Sequence, residues 1–204
     1  MKVLYNVDSL IKKRDYVELL EPPVVIRVME IDDEAAEEFS RKISRAHRTG
    51  QPVIPVLIDS PGGSVYSCLS MISDIKHSHI PVATIAVGSA MSCGAVLLSS
   101  GTEGYRYCDP YASVMIHDIS TTQEGKNEEI KSGSQQTDDL NKMMYQTMAK
   151  NCEHKNKDYF LKIIHDKGHA EWYLTPKQAK KHKIVNHIGM PDLYVNVSVN
   201  ISIK

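Results

Sequence analysis

The sequence predicts an α/β fold in which helices connect the strands of a parallel β-sheet. Runs of branched apolar residues alternate with segments whose apolar residues recur at helical spacing. The runs at 53–58 and 82–87 are almost entirely apolar, which is typical of strands that are buried on both faces. Strands and helices in this alternating order form parallel sheets with right-handed crossover connections.

The first strand is predicted over 24–31, after two prolines that disfavour helix before them. A helix follows, because Asp32 or Asp33 can cap it and acidic residues stand near its start, where the helix dipole favours negative charge. Its apolar stripe consists of Ala36, Phe39 and Ile43.

A glycine turn at 59–64 leads into the next predicted helix. Strand 82–87 then begins after Pro81, Ser92 opens a further helix, and shorter strands are predicted at 106–107 and 113–116. The inner face of the helix after the glycine turn consists of Val65, Leu69, Met71, Ile72 and Ile75.

The segment from about 125 to 152 has a different character, since it is polar and rich in helix formers. We expect a long helix here, which either protrudes from the domain or packs along it. Thr175 and Pro176 are a cap and a first-turn proline, and they predict a helix over 176–182. The narrow apolar seam of the long helix consists of Leu140, Met143, Met144 and Met148.

Bulk composition places the chain among ordinary globular proteins of one domain. Its 204 residues are 42% hydrophobic and 24% charged, and the net charge of −1 gives no indication of a nucleic-acid or membrane partner. The sequence contains neither a long apolar run nor a signal-peptide pattern, so we expect a cytoplasmic protein. The four scattered cysteines are expected to be free thiols in a reducing compartment.

Three short segments carry residues suited to acyl-transfer chemistry. The glycine turn offers free backbone N–H groups, Ser92 stands at a strand-to-helix junction, and His117 stands at the end of a strand. Oxyanion donors, a nucleophile and a general base are the parts of a serine hydrolase. Each has a simpler interpretation: a tight turn, a helix N-cap and a structural histidine.

The sequences of these segments resemble motifs of the ClpP family, the proteolytic subunits of ATP-dependent Clp proteases. The resemblance rests on Ser-Pro-Gly-Gly-Ser at 60–64, Met-Ser-Cys-Gly-Ala at 91–95 and Val-Met-Ile-His at 114–117. It extends over roughly 24–188 and is strongest over 53–130. The spacings from the turn to the serine and from the serine to the histidine also agree with the family.

The resemblance implies a ClpP/crotonase-type α/β fold, a stacked β-α-β superhelix with a protruding handle helix at about 125–152. It implies a serine endopeptidase in which Ser92 is the nucleophile, His117 the general base, and the Gly63 and Cys93 backbone N–H groups the oxyanion hole. Cys93 stands where the family usually has Met, but a backbone donor does not depend on the side chain.

The third member of the catalytic triad departs from the family. The family has an Asp before an aromatic-Leu-Ser/Thr segment, which here is 173–175, and the aligned residue is Glu171. A Glu can orient a histidine as an Asp does. The interval after His117 is longer than in the family, so an insertion falls between the two residues. Asp118 and Asp166 are the alternatives for this role.

The resemblance also implies partners. These are a homo-oligomer of two stacked heptameric rings, an AAA+ unfoldase that uses the ATP, and unfolded polypeptide substrates. The chain itself would need no cofactor and no metal, since the His165 and His169 pair is interrupted by Gly168 and lacks a metal-binding motif. Residues 1–22 would form a pore or docking segment before a peptidase domain at 23–190.

The tail at 191–204 is not explained by the resemblance. From Val195 to Ile203 apolar and polar residues alternate strictly, which predicts an added edge strand on its own subunit or on a ring neighbour. The alternative is a flexible end. For the whole chain, the alternative functions are a crotonase-type acyl-CoA enzyme and a catalytically degenerate ClpP-like structural or regulatory subunit.

Overall fold

A computed structural model of the protein describes residues 2–5, 21–192 and 195–198. The strands in these ranges are β1 (Lys2–Tyr5), β2 (Ile26–Val28), β3 (Ile54–Ser60), β4 (Val82–Met91), β5 (Arg106–Cys108), β6 (Ser113–Ile116), β7 (Trp172–Leu174), β8 (His187–Ile188) and β9 (Val195–Ser198). The helices are α1 (Asp33–Thr49), α2 (Val65–His77), α3 (Cys93–Ser99), α4 (Asn127–Asn151), α5 (Tyr159–Asp166) and α6 (Pro176–Lys181).

The main sheet confirms the predicted α/β fold with parallel strands. Its central path runs β2-β3-β4-β5-β8, and each neighbouring pair on this path is parallel. β4 changes partner along its length, pairing with β5 over Thr84–Ala86 and with β6 over Ser89–Met91. β7 then adds to β6 in the antiparallel direction. The end of β4 therefore stays paired with β3 through Ser60 and Ala90, and on its other side exchanges β5 for β6.

The helix boundaries follow the predicted caps. The Asp32 carboxylate accepts a hydrogen bond from the Ala35 N–H at 2.8 Å, and α1 ends at Gly50, whose φ of 80° closes the helix in the left-handed region. Thr175 caps α6, and Pro176 is its first residue, as expected. The predicted stripe of α1 is buried in the core.

Several elements differ from the prediction or were missed. β2 covers only part of the predicted strand at 24–31, and β4 continues past residue 87 because β6 extends its pairing to Met91. The short strands β7 and β8 were not predicted, because two or three residues show no period. α5 was not predicted either.

α4 packs on the rest of the domain mainly through its second half. Its buried stripe includes Leu140, Met144 and Met148, whereas most of its first half is exposed. The expectation that Met143 belongs to the seam is wrong, since 48% of Met143 is exposed. A residue one position before Met144 is rotated about 100° from the stripe.

The first and last described segments pair with each other. β1 and β9 are antiparallel, with Lys2 opposite Ser198 and Tyr5 opposite Val195. β9 covers the first part of the tail with alternating residues, while 199–204 lie outside the described residues, as do 6–20 of the expected pore segment. The four cysteines are free and buried, and within the described ranges no helix is long and apolar enough to cross a lipid bilayer.

Candidate active site

Ser92 stands between the last residue of β4 and the first residue of α3, in an unusual backbone conformation. Its φ of 54° and ψ of −122° are disfavoured for a residue with a side chain and cost about 1–3 kcal/mol. Main-chain bonds hold this conformation: the Ser92 N–H donates to the Met115 carbonyl at 2.8 Å, and the Ser92 carbonyl accepts from the Ala95 N–H at 3.0 Å. A strained serine at a strand-to-helix turn is the arrangement of a nucleophile elbow.

The simpler interpretation of Ser92 as a helix cap is wrong. Its side chain makes no capping hydrogen bond to the first turn of α3, whereas Ser64, at the start of α2, accepts one from the Ser67 N–H at 3.3 Å. The two serines occupy similar places in the sequence pattern, and only one of them is used as a cap.

The glycine turn is packed so tightly that it requires glycine. A Cβ on Gly63 would lie 2.2 Å from the Ile31 carbonyl oxygen, and one on Gly62 would lie 2.8 Å from the Ser92 Cβ. Both glycines have positive φ, 113° and 147° in chain order. Ile31 fixes the turn, since its N–H donates to the Gly62 carbonyl and its own carbonyl accepts from the Ser64 N–H.

Two backbone donors are left without an acceptor beside Ser92. Within the described residues, nothing accepts a hydrogen bond from the Gly63 or the Cys93 N–H. The two residues are adjacent in space, because the Cys93 thiol donates to the Gly63 carbonyl at 3.4 Å. A pair of unused N–H groups beside a serine is the composition of an oxyanion hole.

Four of the five predicted site residues line one cavity of about 260 Å³, namely Ser92, His117, Gly63 and Cys93. His117 is half-buried at the end of β6. The remaining walls are mainly apolar and come from α2, α3, α4 and the end of β6. They include Val65, Val96, Ile116, Ile119, Met144 and Met148.

Glu171 is the predicted site residue that the structure does not bring into this cavity. The last pair between β6 and β7 is Ile116 with Trp172, and continuing that register by one residue sets His117 opposite Glu171. The exposed Glu171 carboxylate accepts instead from the Tyr173 hydroxyl at 2.7 Å, which raises the pKa of Tyr173. Among the described residues no hydrogen bond joins Glu171 to His117.

The two alternative acids are also occupied elsewhere. The Asp118 Oδ1 accepts from the Asn141 amide at 2.7 Å and from the Tyr145 hydroxyl at 2.8 Å, and its Oδ2 accepts from the His169 Nδ1 at 2.6 Å. Asp166 is exposed and lies 3.9 Å from the His165 Nδ1. Neither carboxylate bonds His117 within the described part of the chain.

The surroundings of Asp118 favour its ionised form. Burial acts to raise its pKa, but the hydrogen bonds from Asn141, His169 and Tyr145 outweigh burial and lower the pKa below the usual value. Burial, together with the bond to Asp118, raises the pKa of Tyr145. Asp118 is therefore a carboxylate at neutral pH, and Tyr145 remains a protonated donor to it.

The structure shows functional neighbours that the sequence analysis did not assign. Ile31 shapes the glycine turn through its backbone, and Met144 and Met148 line the cavity although they were predicted only as a packing seam. The apolar seam of α4 was the sequence signal for these two methionines, but helical spacing does not distinguish residues that line a cavity from residues that pack in the core. Among residues 2–5, 21–192 and 195–198, no group of three His, Cys, Asp or Glu side chains could hold a metal ion.

Comparison with known proteins establishes the family to which the chain belongs. The model of the Clp protease family matches residues 10–192, which is most of the sequence. The chain belongs to the Clp protease family. It is therefore a Clp-type protease and a serine peptidase, and membership implies in general an oligomeric assembly that works with an ATPase.

Curated relatives agree with this assignment. The ATP-dependent Clp protease proteolytic subunit 2 of Corynebacterium diphtheriae is 32% identical over 176 residues, covering 85% of each chain. The proteins of the same name from Corynebacterium efficiens and Corynebacterium glutamicum are each 31% identical over 173 residues, covering 83% of each chain. The match favours the peptidase over the crotonase-type alternative.

Proposed function

We propose that this chain cleaves unfolded polypeptides by a Ser92–His117–Glu171 mechanism inside an oligomeric chamber. The observation that carries the proposal is the conformation of Ser92, which is held at a strained junction beside the two unused backbone N–H groups of Gly63 and Cys93. Strained backbone conformations cluster at active sites, and here the strained residue carries a hydroxyl group next to two unpaired N–H donors.

In the acylation step, the Ser92 Oγ attacks the carbonyl carbon of the scissile peptide bond while His117 takes the hydroxyl proton. The negative charge then develops on the former carbonyl oxygen, where the Gly63 and Cys93 N–H groups donate to it. His117 passes its proton to the nitrogen of the departing amine, and the C–N bond breaks. A water molecule, deprotonated by His117, hydrolyses the acyl-enzyme in the second half of the reaction.

Glu171 is proposed to orient His117 and to stabilise its protonated form. The register of β6 and β7 supports this role, because directly opposed residues of an antiparallel pair have Cβ atoms about 4.5–5.5 Å apart. Tyr173 bonds the Oε2 atom of Glu171, which leaves Oε1 for the imidazole. A rotation of the Glu171 side chain would complete the triad.

The cavity walls indicate the preferred substrate. Val96, Ile116, Met144 and Met148 present apolar surface next to Ser92, and two of these residues are flexible methionines, which adapt to varied shapes. We therefore expect cleavage after apolar residues. A charged side chain would lose its hydration there without gaining a partner.

The assembly we propose is a homo-oligomer of two stacked heptameric rings, with α4 as the handle between them. The exposed first half of α4 supports this, because it carries the apolar Ile130, and Met143 is exposed farther along the same helix. An AAA+ unfoldase would supply the energy of ATP hydrolysis, so the chain itself would need no cofactor or metal. We expect a cytoplasmic location and a docking role for residues 1–22.

The decisive experiment is covalent labelling with a fluorophosphonate, combined with cleavage of an unstructured peptide. Wild-type protein should be labelled at Ser92, and the Ser92→Ala variant should lose labelling and cleavage while retaining its native particle mass. Ser120→Ala is the matched control, because this exposed serine lines the same cavity and should be dispensable. Labelling at another serine would overturn the assignment, and an inert wild type would identify a degenerate subunit.

A further inference from the structure

A single carboxylate ties together three segments around the candidate active site. Asp118 accepts hydrogen bonds from Asn141 and Tyr145, which both belong to α4, and from His169, which precedes β7. The contact with His169 is the shortest of the three, at 2.6 Å between Nδ1 and Oδ2. About three-quarters of the Asp118 side chain is shielded from solvent, so the contact is not a loose surface pair.

The three segments are those that must be aligned for the proposed mechanism. Asp118 directly follows His117, while Asn141 and Tyr145 line the substrate cavity. His169 stands two residues before Glu171. The position of Asp118 thus links the general base, the cavity wall and the acid.

The turn before Glu171 is closed by its own main-chain bonds, which do not connect it to the end of β6. The ladder between β6 and β7 ends with the pair Ile116 and Trp172, so strand pairing does not extend to Glu171. Gly168 and His169 both have positive φ, 65° and 62°, and residues 165–171 are exposed. A non-glycine residue in this conformation must be held by its surroundings. The His169 N–H donates to the Ile164 carbonyl at 3.0 Å and closes the turn, and the bond from the His169 ring to Asp118 ties that turn to the strand end beside His117.

We propose that Asp118 and His169 are positioning residues that set the separation of His117 and Glu171. Neither side chain touches the reacting atoms. Their contact extends the connection between the two strand ends beyond the last paired residues. The inference rests on the proposed function, since it assigns a task to residues that flank the proposed base and acid.

The contact predicts different kinetic effects for its two members. Loss of the His169 side chain should lower kcat and leave KM almost unchanged, because His169 does not line the cavity. Loss of the Asp118 carboxylate should lower kcat and also raise KM, because it frees Asn141 and Tyr145 in the cavity wall. Small misplacements of catalytic groups cost up to about 100-fold in rate, so we expect decreases of about 10- to 100-fold.

The test is a double-mutant cycle on the rate of fluorophosphonate labelling and on kcat. We would compare Asp118→Ala, His169→Ala and the double variant, with His77→Ala as the matched control, an exposed histidine on α2 that bonds Ser73 instead. If the pair acts as a unit, the double variant should be no slower than the slower single variant. The proposal is wrong if the rate decreases of the two single variants multiply in the double variant. It is also wrong if both single variants react at the wild-type rate.

Two further substitutions separate positioning from folding. Asn tolerates positive φ and can offer a donor near the place of Nδ1, so His169→Asn should recover most of the rate. Gly relieves the backbone strain but has no donor, so His169→Gly should remain slow. Equal rates for these two variants would overturn the proposal even if Asp118→Ala failed to fold. If Ser92→Ala still labelled, the proposed function itself would fail, which is a separate outcome.

Discussion

The region around Ser92 and the region around Glu171 are built in opposite ways. Around Ser92 the positions are fixed by the main chain: Ile31 holds the glycine turn, and Met115 holds the serine N–H. Around Glu171 the preceding turn is closed by main-chain bonds, but side chains make its link to the strand end beside His117. His169 bonds Asp118, and the Glu171 carboxylate bonds the Tyr173 hydroxyl.

This contrast predicts which substitutions each region tolerates. Backbone donors survive a change of side chain, so a substitution at Cys93 that leaves the main chain in place should preserve the proposed oxyanion donor. A side-chain contact has no such protection, and in the acid region the loss of either Asp118 or His169 removes the contact between them. Substitutions in the glycine turn should therefore damage fold and activity together, whereas those near Glu171 should damage activity alone.

Gly63→Ala should have the largest effect, because the added Cβ would lie 2.2 Å from the Ile31 carbonyl oxygen at a φ of 147°. We expect a loss of at least about 2 kcal/mol in the free energy of unfolding, together with loss of labelling. Denaturant unfolding measures the first and fluorophosphonate labelling the second. Gly104→Ala is the control, since its φ is 84° but its Cβ would meet nothing within 4 Å. Equal losses in both variants would show that the close contact is unimportant.

His117→Ala should lower kcat by about 10⁴- to 10⁶-fold, because Ser92 loses its general base. Thermal melting should be nearly unchanged, since His117 is only half-buried and lies at the end of β6. Single-turnover hydrolysis of an activated ester measures the rate. A turnover that stays at the wild-type level between pH 6 and 8 would remove His117 from the mechanism.

Glu171→Gln should lower kcat by about 10⁴-fold if the carboxylate stabilises the protonated His117, because an amide carries no charge. Peptide turnover at saturating substrate is the measurement. Asp166→Asn is the matched control in the same exposed region and should behave as wild type. The reverse result, an active Glu171→Gln and a dead Asp166→Asn, would assign the third position to Asp166.

Tyr173→Phe should have the smallest effect. It removes the hydroxyl that holds the Glu171 Oε2, and one hydrogen bond of this kind contributes about 0.5–1.5 kcal/mol. We expect a decrease in kcat of about 2- to 10-fold, with Leu174, its buried neighbour on β7, keeping the strand in place. A gain in kcat would show instead that Tyr173 competes with His117 for the carboxylate.

The backbone-built region was the more predictable from sequence. Continuous apolar runs, separated by segments with helical spacing, predicted the parallel strands. The glycine turn, Ser92 and His117 lie around one cavity, as the motifs indicated. These features leave a local trace, because a strand needs several consecutive apolar residues and a tight turn needs glycine.

The acid region left no comparable trace. β7 has three residues, too few to show a period, and the contact between Asp118 and His169 joins residues that are far apart in the sequence. Its residue types are also common on any polar surface. Side-chain networks of this kind depend on the final fold, so only the structure reveals them.

The hydrogen bond from the Ser92 N–H to the Met115 carbonyl has a consequence for protein synthesis. Ser92 reaches its strained conformation only when β6 has paired with the end of β4, and Glu171 follows only with β7. A ribosome delivers these segments in that order, from the N-terminus. Under the proposed mechanism, a nascent chain therefore carries Ser92 before His117 and Glu171 have been synthesised, so we expect it to be inactive toward other nascent proteins nearby.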